Sequence, residues 1–165
     1  MKKSLALIGI KWEAHKDLIN RLANHCQLIL VSEHQGQVFD ESIYDNQNNE
    51  VTIQSCSREG CWEADIIFLM NDEVEDLNLL TGIKEVCTQK TVVGFSETMN
   101  EFSQSPRLSI LKQLLPHSKV LWGYIDHANE QVFIKGDDAE ALQVIQGLVG
   151  TIGYRSAYVE NPVSY

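Results

Sequence analysis

The sequence is short of proline and of basic residues and has no long apolar run, and each shortage removes a class of protein. It has three prolines in 165 residues and no Pro- or Ser-rich stretch, so nothing marks a linker between domains. We therefore expect residues 1–165 to form a single domain, with 44% apolar residues sufficient for a full core. Lys and Arg number 13 against 23 Asp and Glu, a net charge of -10. That balance argues against nucleic acid and anionic membrane surfaces, which select clustered positive charge. The apolar run in MKKSLALIGIKWEAH ends before Lys11 after about six residues, shorter than a signal core or a membrane span. A cytoplasmic protein is the expectation. Cys26, Cys56, Cys61 and Cys87 form no CxxC pair and have no histidine cluster beside them. No metal is expected, and the thiols read as buried and free. The G-x-S-x-G, P-loop and HExxH patterns are also missing, so no catalytic residue is assigned.

What is present is alternation. Strand-length runs at Leu5–Ile10, Gln27–Ser32, Val51–Gln54, Asp65–Met70, Thr91–Phe95, Lys119–Tyr124, Gln131–Lys135 and Arg155–Val159 combine aliphatic or β-branched residues with polar flanks. Helix-period segments lie between them. Glu13–His25 puts Leu18, Ile19, Leu22 and Ala23 on one face, and Glu73–Cys87 and Leu108–Leu115 follow less cleanly. In GDDAEALQVIQGLVGTIGY, Gly136 reads as a turn and Asp137 as the N-cap, with Glu140 three residues on. Ala141, Leu142, Ile145 and Leu148 form the buried stripe. Strand and helix in alternation predict an α/β fold, a parallel sheet with helices packed on its faces. GQVFDESIYDNQNNE reads as a long polar connection.

The first strand and helix pose the functional question. A dinucleotide turn uses one glycine for tightness, a second for close approach of the pyrophosphate and a third for helix packing. Gly9 supplies the first, Lys11 stands at the second and Ala14 at the third. Alanine still lets helix and strand approach, but the Cβ of Lys11 occupies phosphate space. Its ammonium pairs well with a phosphate, and a helix N-terminus offers N–H donors. Trp12 and Glu13 oppose this by putting an indole beside the turn and a carboxylate on the first helical turn. Two readings therefore stay open, a modified nucleotide site and a closed strand–helix connection. Glu33, after LILVS, stands about two dozen residues beyond Gly9, where a carboxylate accepts ribose hydroxyls in NAD sites. If a dinucleotide binds, Glu33 would repel a 2′-phosphate, which favours NAD over NADP; the alternative reading of Glu33 and His34 is a solvated strand end.

The order of IGI, LILVSE, EADIIFLM, KTVVGF, LLPHSKVLWGYI and VFIKGDDAEALQVIQGLVGTIGYRSAYV resembles the deazaflavin-dependent NADP oxidoreductases and the dinucleotide-binding proteins related to them. The likeness covers nearly the whole chain outside residues 35–50, and its closing unit is the most specific part. Together with the alternation, the resemblance implies a Rossmann-like, doubly wound fold in a single domain, its sheet mostly parallel around the first strand, with helices on both faces and the last strands antiparallel at an edge. It also implies cofactor contacts at the first turn, at the end of strand two, after strand four and at the end of strand five. Residue by residue these are Gly9, Ile10, Lys11 and Trp12, then Ser32 and Glu33, then Met70 and Asn71, then Ser96. The chain departs from the pattern at Lys11, at Glu33 in place of arginine, and at MNDEVED. There Asp72, Glu73, Glu75 and Asp76 bring negative charge toward the phosphate path or favour a helix N-terminus. Hydride transfer needs little acid–base help, so the absence of a triad does not exclude an oxidoreductase.

Two functions follow. One is an NAD(P)-binding oxidoreductase-like protein with an altered crevice, whose partner is a small nucleotide. The other is a non-catalytic relative that carries no cofactor and uses the sheet for partner binding or homodimerisation. Asp126 and His127 are an adjacent acid–histidine pair but read as surface loop residues, because neighbours on an extended segment do not face each other. Ser96, Glu97 and Thr98 are the better site candidates, with an N-cap role as the alternative for Ser96 or Thr98. Trp62, Trp122 and Tyr124 read as core or edge packing, Trp122 and Tyr124 also as candidates for a dimer contact.

Overall fold

A computed structural model of the chain describes residues 3–9, 12–31, 51–70, 77–104 and 106–159. In chain order these form β1 (Ser4–Ile8), α1 (Trp12–Ala23), β2 (Gln27–Val31), β3 (Val51–Gln54), α2 (Ser57–Glu63), β4 (Ile66–Leu69), α3 (Leu77–Ile83), β5 (Thr91–Ser96), α4 (Met99–Gln104), α5 (Arg107–Leu114), β6 (Lys119–Asp126), β7 (Gln131–Lys135), α6 (Ala139–Thr151) and β8 (Arg155–Tyr158). The strands make one sheet in the order β3-β2-β1-β4-β5-β6-β7-β8. Pairing is parallel from β3 through β6, with Leu7 opposite Leu30 on one side and Phe68 on the other. Between β6 and β7 it is antiparallel, and β8 runs parallel to β7. The last two strands thus oppose the rest at one edge. This is the Rossmann-like, mostly parallel architecture that the sequence predicts. The strand order reverses between β1 and β4, where open α/β sheets leave a crevice beyond their carboxyl ends.

Period-two alternation divides the strand residues between two cores. Leu5, Leu7, Leu28, Leu30, Ile66 and Phe68 face α1 and α6, meeting Leu18, Ile19, Leu22, Ala141, Ile145 and Val149. Ala6, Ile8, Ile29, Val31, Ile67 and Leu69 face the other way, against Cys61, Leu80, Ile83, Phe102 and Leu111 of α2 to α5. All of β1 is buried, as expected for a central parallel strand covered on both faces.

Four expectations need correction or completion. The N-cap of α6 is Asp138, whose carboxylate accepts from the Ala141 backbone N–H at 2.9 Å. Asp137 instead receives the Lys112 ammonium at 2.7 Å, because it forms the bend before the helix, which starts one residue later than expected. Within α6 the fully buried residues are Ala141, Ile145 and Val149, while Leu142 and Leu148 pack at the margin of the core. Trp62 is 70% exposed and Trp122 wholly buried, so Trp62 is not a packing residue and Trp122 is core and cannot contribute to a subunit contact. The periodicity of the sequence predicts neither α2 nor α4, and α3 covers only Leu77–Ile83 of the expected Glu73–Cys87 span, whose residues 73–76 lie outside the described set. Among the described residues no helix is long and apolar enough to cross a membrane, and no group of three or more His, Cys, Asp or Glu could hold a metal ion.

The cap assignment makes a separable prediction. Asp138→Ala removes an acceptor from the first turn of α6 and should cost about 1 kcal/mol. Asp137→Ala breaks only an exposed ion pair and should cost about half that or less. Urea unfolding of the two variants checks the order.

Candidate functional site

The carboxyl ends of the parallel strands bring several of the nominated residues to one side of the sheet. Gly9 follows β1 directly and has φ 78°, a left-handed turn that glycine enters without the Cβ penalty. Met70, just after β4, is 2% exposed, and its backbone N–H donates to the Ile8 carbonyl at 2.8 Å. The ends of β1 and β4 are thereby fastened together at the point where the strand order reverses.

Ser96 ends β5 and is 7% exposed. Its hydroxyl lies 3.1 Å from the Thr98 carbonyl and 3.4 Å from that of Gly123 in β6, so it can donate to either. The Thr98 hydroxyl accepts from the Glu101 N–H at 3.1 Å, which makes Thr98 the cap of α4. Trp12 opens α1, and its side chain lies outside the described residues. Ile10, Lys11, Ser32, Glu33 and Asn71 also lie outside them.

A polar cluster that the sequence did not reveal flanks this turn. His15, the fourth residue of α1, has a non-helical backbone (φ -125°, ψ 18°). Its ring is 5.4 Å from that of His127, on the turn between β6 and β7. This contact joins the first turn of α1 to the end of β6. Tyr154 Oη lies 3.5 Å from His127 Nδ1. Arg21 reaches over the Tyr154 ring at 5.0 Å and pairs with Asp17 at 3.0 Å and Glu130 at 2.7 Å. Partial burial pushes His127 below its ordinary range, against the upward pull of Asp17 and Asp126. The neutral imidazole is favoured.

Asp126 does not pair with His127. Its carboxylate accepts from the Asn129 backbone at 3.2 Å and the Asn129 side chain at 2.8 Å, bonds that hold it below the usual carboxylate range. The adjacent acid–histidine pair is therefore a turn, as expected. His15 and Tyr154 stand 112 and 27 positions from His127, separations that no short motif spans. Among the described residues, the strand ends thus carry a glycine with a left-handed backbone before α1 and an imidazole beside a phenol near the first turn of that helix.

No protein-family model matches this chain, and no curated protein matches it by sequence. Solved structures do match. The N-terminal domain of HmdIII from Methanocaldococcus jannaschii is 10% identical, with a TM-score of 0.72, over 96% of this chain and 99% of that one. An imine reductase from Myxococcus stipitatus in complex with NADP+ is 12% identical with a TM-score of 0.69 over 96% of this chain. The prephenate dehydrogenase of A. aeolicus, in complex with hydroxyphenyl propionate and NAD+, is 11% identical with a TM-score of 0.69 over 98%. The chain spans 55% and 60% of the lengths of these two enzymes. The likeness defines the class of fold, a Rossmann-like α/β fold.

Proposed function

We propose that this chain binds a nicotinamide dinucleotide across the carboxyl ends of β1, β4 and β5 and serves an NAD(P)-linked oxidoreductase reaction, with NAD preferred to NADP. The observation that carries the reading is Gly9, in a left-handed turn between a central buried strand and the first helix, at the point where the strand order reverses. The pyrophosphate lies against Gly9, Ile10, Lys11 and Trp12, the adenosine ribose against Ser32 and Glu33, and the nicotinamide half toward Met70, Asn71 and Ser96. Glu33 accepts ribose hydroxyls and repels a 2′-phosphate, whereas the Lys11 side chain crowds the pyrophosphate and weakens both nucleotides. The resting thiols suit a reducing compartment such as the cytoplasm.

Calorimetric titration is expected to give equal or tighter binding of NAD than of NADP. Clearly tighter NADP binding by the unmodified chain would overturn the role of Glu33. The pair Lys11→Gly with Glu33→Arg should strengthen NADP more than NAD, by a factor that falls as salt screens the new charge. The resemblance to deazaflavin-dependent enzymes bears on the redox partner. Oxidation of a reduced deazaflavin by the bound nucleotide is the assay for it.

A second reading is favoured by Lys11 and Glu33, which replace two phosphate-reading features. On that reading the sheet serves partner binding or homodimerisation without a cofactor. A titration in which neither nucleotide binds before or after the paired substitution, together with a dimer mass by light scattering, would support it.

A further inference from the structure

Beneath the opposite face of the sheet, two of the four cysteines meet a lysine. Cys61 in α2 and Cys87 beyond α3 are both wholly buried in the same apolar cluster, and their thiols are hydrogen-bonded to each other. Lys90 is fixed beside them, its ammonium donating to the Cys61 carbonyl and, at 2.7 Å, to the Trp62 carbonyl. Lys90 immediately precedes β5, which sets this group at the amino end of the sheet. The dinucleotide crevice lies at the carboxyl end, so the two features are independent.

We propose that Cys61 and Cys87 are a peroxide-sensitive dithiol, with Cys87 the attacking sulfur, Cys61 the resolving one and Lys90 the residue that positions charge for the attack. Cys87 is held below the ordinary thiol range first by the hydrogen bond from Cys61 and then by the positive charge of Lys90, against burial. Burial lowers Lys90, while both sulfurs and then the Asp65 carboxylate raise it. The Cys87 sulfur attacks one oxygen of a hydroperoxide, the O–O bond breaks, and the other oxygen leaves as water or an alcohol after taking up a proton. Cys87 is then a sulfenic acid. The Cys61 sulfur attacks it, the sulfenic hydroxyl leaves as water with the Cys61 proton, and a disulfide joins α2 to the segment after α3. The two thiols lose two protons and two electrons, and the peroxide gains them.

Val86 and Cys87 are buried, while Lys84, Glu85, Thr88 and Gln89 on either side are exposed, so a small neutral peroxide reaches the pair through a local opening of this segment. Cys56 is the internal control, being more exposed than either member of the pair. If exposure alone governed reactivity, Cys56 would react first.

The test treats the folded full-length chain with hydrogen peroxide, blocks the remaining thiols under denaturing conditions and maps the peptides by mass. The expected product has lost two hydrogens and contains a Cys61–Cys87 linked peptide, with Cys26 and Cys56 still blocked as free thiols. Cys61→Ser should abolish the link and leave a sulfenic acid on Cys87 that dimedone captures. Lys90→Met should slow the reaction several-fold near neutral pH and move its pH profile upward, a shift that mere loosening of the fold would not give. Circular dichroism before treatment confirms that each variant is folded, and Cys61→Ala replaces Cys61→Ser if the hydroxyl is not tolerated. Preferential oxidation of Cys56, a link involving Cys26 or Cys56, or a Cys87 that stays reduced when Cys61 is replaced would each overturn the proposal.

Discussion

Replacing Trp122 with alanine is expected to cost about 3–5 kcal/mol of stability, the range seen when a large aromatic is removed from a packed core. Trp122 lies in the middle of β6, has no exposed surface and is the largest of the fully buried side chains. It packs among Leu111, Phe102 and Val120 in the core between the sheet and α2 to α5. Gly94 of β5 is its register partner. Removal would leave a void that two hydrogen-bonded neighbouring strands cannot close, because the sheet fixes their spacing. Trp122→Phe should cost markedly less. The indole Nε1–H has no acceptor among the described residues, so a phenyl ring forfeits contact area but no hydrogen bond there. Urea denaturation reads both variants, and an unchanged slope confirms that the native state is what has been weakened. A loss below about 1 kcal/mol for Trp122→Ala would show that this core collapses around the gap, contrary to the packing described.

The reciprocal change, Gly94→Val, is expected to cost about 3 kcal/mol. A Cβ on Gly94 would sit 2.7 Å from Leu111 Cδ1 and 2.9 Å from Trp122 Cζ3, well inside contact distance. Leu111 is a flexible end and gives way, but the indole is held on all sides, so the added methyls force either strand or ring to shift. Glycine is present because β5 must pass close under the indole. Gly147→Ala in α6 is the control of opposite sign, since nothing lies within 4 Å of its added Cβ. A gain of up to about 1 kcal/mol is expected there from helix propensity. The two core changes should also couple. In the double variant the valine of Gly94→Val enters space vacated by the indole, so the combined loss should fall short of the sum of the single losses. Strict additivity would mean that the two sites do not share that space.

The strands were legible in the sequence because burial on both faces leaves continuous aliphatic runs with polar ends. DIIFLM and TVVGF show this most plainly, and all eight expected runs appear as strands with bounds shifted by at most two residues. Their mostly parallel pairing followed from the helical segments between them, which return the chain to the same end of the sheet. Short helices were not legible. The helices α2 and α4, at 7 and 6 residues, run for under two turns, too little for a 3.6-residue period to stand out from chance.

What the sequence alone determined is therefore the class of fold and the position of Gly9 in it, since periodicity and a glycine at a strand end are local properties that act within a few residues. Only the tertiary structure decided which of two tryptophans is core, that Lys135 on a strand is 5% exposed with its ammonium on the Phe102 carbonyl, and that His15, His127 and Tyr154 meet. It likewise decided that Cys61 meets Cys87. These facts depend on which surfaces a folded chain brings together across dozens of residues, and side-chain identity carries no record of the neighbour it will find.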